Sequence, residues 1–163
     1  MSRTLLPTLC VIAGPNGSGK TTTTQQLLAN EWAADSLYIN PDAIAQDRFG
    51  DWNSQEAVLK ADGYFIRFFF VCTDSPEINV SRVAKRYLEG GHEVPISKII
   101  SRYYKSLNNA AEAIRIVDRA YLYDNSVENE APKLLLRTVD GKLFRQYEEE
   151  IPRWSRAVME SLK

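Results

Sequence analysis

The segment Gly14-Pro-Asn-Gly-Ser-Gly-Lys-Thr21 follows directly on an unbroken apolar run, Leu9-Cys-Val-Ile-Ala13, and no other stretch of the chain limits its fold as tightly. A continuous apolar run that stops at a glycine reads as a strand buried on both faces, the pattern of parallel sheets. The eight residues after it fit GxxxxGK[ST], the pattern of phosphate-binding loops. Glycines at these spacings let successive N–H groups turn toward phosphate oxygens, and a helix starting at Lys20 adds the positive end of its dipole. The motif implies binding of a nucleoside triphosphate, with ATP the expected one. Gly14, Asn16, Gly17, Ser18, Gly19, Lys20, Thr21 and Thr22 are its candidate contacts. Lys20 would reach the β- and γ-phosphates, and the Thr21 hydroxyl would ligate Mg²⁺.

The remaining pattern alternates strands with helices. Lys20 to Trp32 carries good helix formers with Leu27, Leu28 and Trp32 at helical spacing. Ser36-Leu-Tyr-Ile-Asn40 reads as a short strand, Asn40-Pro41 as a helix start, and Asn53-Ser-Gln-Glu56 as a capping box. Tyr64 to Thr73 is the strongest strand signal. Ser75-Pro-Glu77 opens a helix that runs to Glu89 and stops at Gly90-Gly91. Pro95 opens a further helical stretch to about Ala120, with a break expected near Leu107-Asn-Asn109. Tyr121-Leu-Tyr123 is a short buried strand, 134–139 and 142–147 form a hairpin turned by Asp140-Gly141, and an amphipathic helix begins at Ile151. The expected fold is α/β: one domain over residues 1–163, a three-layer α/β/α phosphate-loop arrangement of the kinase-like kind, with a mainly parallel sheet and a C-terminal hairpin plus helix.

Composition narrows the partners. A chain of 163 residues with 44% hydrophobic content can bury a full core without disulfide or metal support. Cys10 and Cys72 lie in apolar runs without metal-ligand spacing, and read as buried thiols of a reduced protein. No apolar run approaches the ~20 residues that span a bilayer, and no export signal opens the chain, so a cytoplasmic location without a membrane partner is expected. A net charge of -1 leaves no global basic footprint for duplex DNA or RNA, so nucleic acid is not the expected partner. Lys and Arg residues nevertheless cluster between Arg82 and Lys105, which suggests a small anionic ligand.

Several polar residues are candidates for chemistry beyond the loop. Asp42, at the corner after the second expected strand, could take a proton from an acceptor hydroxyl or hold Mg²⁺ through water; its plain reading is an early-helix acid. Asp74 could associate with the metal or simply start a turn. Arg82 and Arg86 are one helical turn apart, ahead of a flexible glycine pair, and could close on transferred phosphate as a lid; the alternative is a solvated cationic face paired with Glu77 or Glu89. Lys85 lies about 100° from Arg86 around that helix. His92 in the glycine loop, and Arg102 before Tyr103-Tyr104, could face the site or be ordinary surface residues.

Taken together, several segments resemble the zeta-toxin family of P-loop kinases: Ala13 to Thr21, Tyr38-Ile-Asn-Pro-Asp42 with Ile44-Ala45, Gly63-Tyr64, Arg82-Val83 with Arg86 ahead of Gly90-Gly-His-Glu-Val-Pro95, Arg102-Tyr103, and Tyr123-Asp-Asn-Ser126. They span most of residues 9–126. The resemblance implies an ATP- and Mg²⁺-dependent kinase acting on a hydroxyl of a small molecule, with UDP-N-acetylglucosamine the acceptor of toxin members. It would make Lys20 and Thr21 the ATP–Mg²⁺ residues, Asp42 the general base, Arg82 and less surely Arg86 the lid arginines, and Asn125 a residue beside the adenine. It also raises an antitoxin-like protein as a partner, though toxin character does not follow, because the acceptor site is the family's variable part.

One departure stands out. The family carries a helix, a strand with a Glu-Thr acceptor motif and another helix between the Asn-Pro-Asp corner and the Gly-Tyr strand, whereas only 21 residues separate Asp42 from Tyr64, and no Glu-Thr pair occurs in the chain. Either these elements are deleted and the sheet lacks a strand beside its first, or a segment is missing between about 51 and 63, at a join such as Lys60–Ala61. The second is favoured, because a lost central strand leaves open edges. Two other functions stay open: an ATP-binding module without phosphotransfer, and a kinase of polynucleotide ends or nucleosides.

Overall fold

The computed structural model describes residues 7–29 and 63–160. The expected strand 36–40, the Asp42 corner, the capping box at 53–56, Trp32 and the join near 51–63 lie outside the described residues. The elements are β1 (Thr8–Ala13), α1 (Lys20–Leu28), β2 (Phe65–Cys72), α2 (Pro76–Leu88), α3 (Ile96–Ile116), β3 (Arg119–Asp124), β4 (Lys133–Val139), β5 (Lys142–Gln146) and α4 (Arg153–Glu160).

The described strands form one mixed sheet in the order β1-β2-β3-β4-β5. β1, β2 and β3 run parallel, and β4 and β5 add antiparallel. β2 is paired on both sides, which is why its run Phe-Ile-Arg-Phe-Phe-Phe-Val-Cys is almost wholly buried. β1 is paired only with β2 among the described residues, and its side chains are half-buried at most. Among the described residues, β1 is therefore the first strand of the sheet order.

Alternate residues of β2 divide the two faces of the sheet. Ile66, Phe68, Phe70 and Cys72 join Ala120, Leu122 and Leu136 from the neighbouring strands, and α3 and α4 cover them with Tyr103, Ala110, Ile114, Trp154 and Val158. α2 packs against α3, and α1 against β1. The covering elements α3 and α4 make one helical layer over this face.

Local chemistry accounts for the element ends. Asp140 and Gly141 both adopt positive φ, 48° and 71°, as the two-residue hairpin requires. Ser75 precedes α2 in an extended conformation with Pro76 at the first helical position, but its side chain makes no capping bond to the helix. Two expectations for α3 need correction. The helix is continuous through Leu107-Asn-Asn109, because Leu107, Ala110 and Ala111 lie on the core side. It also ends at Ile116 rather than Ala120: Val117 turns extended, and Arg119 and Ala120 pair with Arg67 and Phe68. Strand pairing along a fully buried neighbour outweighs helix propensity there.

Candidate functional site

The glycine-rich loop joins the C-terminal end of β1 to the first residue of α1. Gly14 leaves the strand at φ 153°, and a Cβ at this position would run into the Val71 carbonyl oxygen of the adjacent strand. Gly19, at φ 93°, precedes the helix in the left-handed region, and a Cβ there would run into the Asn125 side-chain amide. Only glycine satisfies both the angles and the space. The loop is closed by Ser18 N donating to Pro15 O at 3.2 Å. Lys20 folds back over it, and Nζ donates to Gly14 O at 2.8 Å and Pro15 O at 3.0 Å. The Ser18 hydroxyl is fully buried and has no hydrogen-bond partner among the described residues.

The threonine run that follows splits by helix face. Thr21 and Thr22 are exposed beside the loop, while Thr23 and Thr24 are buried and return their hydroxyls to Gly19 O at 3.3 Å and Lys20 O at 2.8 Å. The first pair is free to meet a ligand; the second is tied to the helix backbone.

Three elements hold the loop from behind. Asn79, on α2, is fully buried, and its Nδ2 donates to Asn16 O at 2.6 Å. The Thr73 hydroxyl donates to Asn79 Oδ1, and the Tyr103 hydroxyl on α3 donates to Thr73 O at 2.6 Å. A buried polar chain thus runs from α3 through the end of β2 to the loop. Each of its groups would cost about 1–3 kcal/mol if left unpaired, so the chain holds the Asn16 peptide in one position. Burial, with Cys72 alongside, pushes the Tyr103 phenol well above its ordinary range, so it stays a donor. Burial likewise pushes the Cys72 thiol to about 12.

The third support comes from the end of β3. Asn125 Nδ2 donates to Ser18 O at 2.8 Å, so this side chain fastens the loop backbone. Arg82 on α2 donates from Nη1 to Asn125 O at 2.8 Å, with Gly17 O at 3.5 Å and, from Nη2, Ser126 O at 3.4 Å. Arg82 therefore already stands at the loop, bonded to main-chain carbonyls. Arg86, one turn later, is exposed, so the two arginines expected to act together are placed differently. Ser126 completes the corner: its hydroxyl donates to Asp124 Oδ1 at 2.7 Å and accepts from Asp74 N at 2.8 Å. Trp154 Nε1 donates to the same carboxylate oxygen at 3.2 Å.

Of the other candidates, Asp74 is tied through Ser126 to the corner beside the loop, and the rest make no described hydrogen bond to it. Asp74 is exposed at the turn after β2, and His92 and Arg102 are exposed. Lys85 pairs with Glu128 at 3.2 Å on the surface, not with Glu77 or Glu89. Asp42 is not among the described residues. Sequence reasoning missed Asn79, Thr73 and Tyr103. A signal existed for Asn79, an amide one turn before buried Val83 on the apolar side of an amphipathic helix.

No protein-family model, curated protein or solved structure matches this chain.

Proposed function

We propose that the chain is a P-loop phosphotransferase of the zeta-toxin kind, which binds ATP with Mg²⁺ at Gly14–Thr22 and transfers the terminal phosphoryl group to a hydroxyl of a small molecule, such as a nucleotide sugar. The observation that carries this reading is the loop itself: glycines at the two crowded positions, a lysine folded over the loop, and a helix beginning at that lysine. The residues present fit a polyphosphate. The crowded glycines keep the loop free of side-chain bulk, the buried Ser18 hydroxyl has hydrogen-bonding capacity to spare, and the α1 N-terminus favours negative charge. Bound Mg²⁺ would offset the charge of the β- and γ-phosphates, with Thr21 as its protein ligand.

Each residue then has a definable part. Lys20 exchanges its carbonyl contacts for phosphate oxygens. Asn79 and Asn125 keep the loop backbone in place while that exchange occurs. Arg82, half-buried beside Gly17, brings a permanent cation to the loop corner. Asp42 would accept the proton of the attacking hydroxyl, whose oxygen forms the new bond to phosphorus as ADP leaves. On this reading the sheet and helices belong to a three-layer P-loop fold in a cytoplasmic protein, with an antitoxin-like partner as a further expectation of the family.

A second reading has its own observation. No Glu-Thr pair occurs in the chain and only 21 residues separate Asp42 from Tyr64, which favours an ATP-binding module without transfer. Calorimetry with Mg·ATP, followed by incubation with hydroxyl acceptors including UDP-N-acetylglucosamine, separates the two. Lys20→Ala should weaken ATP binding at least tenfold and abolish any phosphorylated product. Equal ATP affinity in Lys20→Ala would remove both readings, whereas tight binding with no product from any acceptor would leave the module.

A further inference from the structure

The sheet face opposite the α3–α4 core carries arginines that no described carboxylate neutralises. Register places Phe65, Arg119, Tyr121 and Arg137 on this face, since Phe69 pairs with Tyr121 and Tyr121 with Arg137. β5 adds to it through an irregularity. Arg137 pairs with Arg145 and Thr138 with Leu143, so Phe144 is an extra residue, and a bulge of this type brings two neighbouring side chains to one side. Rings and guanidiniums then interleave. Arg119 lies over Phe65 at 5.2 Å, Arg137 over Phe144 at 4.6 Å and Tyr121 at 5.6 Å, and Arg145 over Tyr147 at 5.0 Å.

Three surface cations elsewhere are neutralised by neighbouring carboxylates. Lys85, Arg115 and Lys133 pair with Glu128, Glu112 and Glu130. Arg119, Arg137 and Arg145 take part in no described ion pair, and Arg137 Nε is buried without a hydrogen-bond partner. The rings are open as well: Phe144 is 61% and Tyr147 40% exposed. From β2 to β5 the row crosses four strands, about 14 Å at ~4.8 Å per strand, more than one small anion covers. A ligand that satisfies such a row must alternate anionic groups with flat apolar ones.

We propose that this face binds single-stranded nucleic acid, with phosphates on the free edges of Arg119, Arg137 and Arg145 and bases stacked on Phe144 and Tyr147. The near-neutral net charge is compatible, because a local strip suffices for a flexible single strand where a duplex needs a broad basic surface. Glu148, Glu149 and Glu150 follow directly on Tyr147 and bound the strip at that end. The site is separate from the glycine-rich loop and does not rest on its nucleotide chemistry.

The test is fluorescence anisotropy with short labelled oligo-uridine and oligo-thymidine strands on the full chain, with poly-glutamate as a polyanion lacking bases. Binding should weaken with salt at a log–log slope of about −2, three contacts at ~0.7 each. Phe144→Ala should weaken binding about tenfold, and Arg145→Ala should reduce the slope by about 0.7. Both positions are exposed, and circular dichroism checks that the variants fold. Tighter binding of one strand than the other supports the proposal and assigns RNA or DNA. Absence of binding to either strand overturns it, as does poly-glutamate binding equally well with Phe144→Ala having no effect.

Discussion

The two faces of the sheet are built from the same strands and yet hold opposite chemistry. On one, Ile66, Phe68, Phe70 and Cys72 lie under α3 and α4 with Trp154 and Val158. On the other, Phe65, Tyr121, Arg137 and the exposed β5 residues interleave rings with guanidiniums. The period of two along each strand makes this possible, because neighbouring residues alternate between faces, with the β5 bulge the exception. The contrast is graded across the sheet: on the second face Phe69 and Val71 of β2 are buried as well, and the open rings are those of β5 and the residue after it.

The largest effect that could break this comparison is in the core. Phe70 is fully buried and meets Trp154 edge-on, with ring centroids 5.8 Å apart. Phe70→Ala should cost about 3–5 kcal/mol, read by urea denaturation, since it removes the ring and leaves a cavity between sheet and helix. A loss below about 1 kcal/mol would show that α3 and α4 do not press on this face as tightly as the buried contacts imply.

Much of this division could be read in the sequence. The runs at Leu9–Ala13 and Tyr64–Thr73 gave β1 and β2, the second because its aromatic and β-branched residues, interrupted by charge only at Arg67, suit a strand paired on both sides. Asp140-Gly141 gave the hairpin, because few residues tolerate two successive positive φ values. The end of α3 was not legible. Val117 to Ala120 carries neither glycine nor proline, and only pairing with β2 turns that stretch into strand. In the loop, Gly14 to Thr21 announced itself by local spacing. Its supports did not, since Asn79, Arg82 and Asn125 reach it from 63, 65 and 107 residues away. Arg82 was expected in a mobile lid for the same reason: sequence shows its helix and the glycine pair, but not the carbonyls of Asn125 and Ser126 that hold it.

Alkaline pH sharpens the comparison from the same strand. Burial pushes the Cys72 thiol from its ordinary 9.0 to about 12, with smaller contributions that include the Asp124 and Asp74 carboxylates. The folded chain keeps this proton where the unfolded chain releases it. The contribution is therefore intact below about pH 9 and lost between about 9 and about 12, by up to ~1.4 kcal/mol per pH unit. Thermal denaturation across this range should show the decline, and Cys72→Ala should make it shallower, leaving the part due to the Cys10 thiol, which burial also raises from 9.0. A profile unchanged by Cys72→Ala would mean that the thiol is not held in the dry layer.

The smallest expected effect is at the opposite face, and its smallness carries the argument. Phe144 is an extra residue in β5, the last strand of the described sheet, 61% exposed, and its contact with Arg137 is an exposed cation–π pair of about 0.5–1 kcal/mol. Phe144→Ala should therefore lower unfolding stability by no more than about 1 kcal/mol, measured beside Phe70→Ala in the same denaturant series. Two phenylalanines of one sheet would then differ severalfold in what their rings contribute to the fold. If Phe144→Ala instead cost as much as Phe70→Ala, the arginine–aromatic row would be a second core, and its rings would not be available to stack on a ligand. A small loss of stability together with a tenfold loss of oligonucleotide binding is a combination that packing alone does not produce.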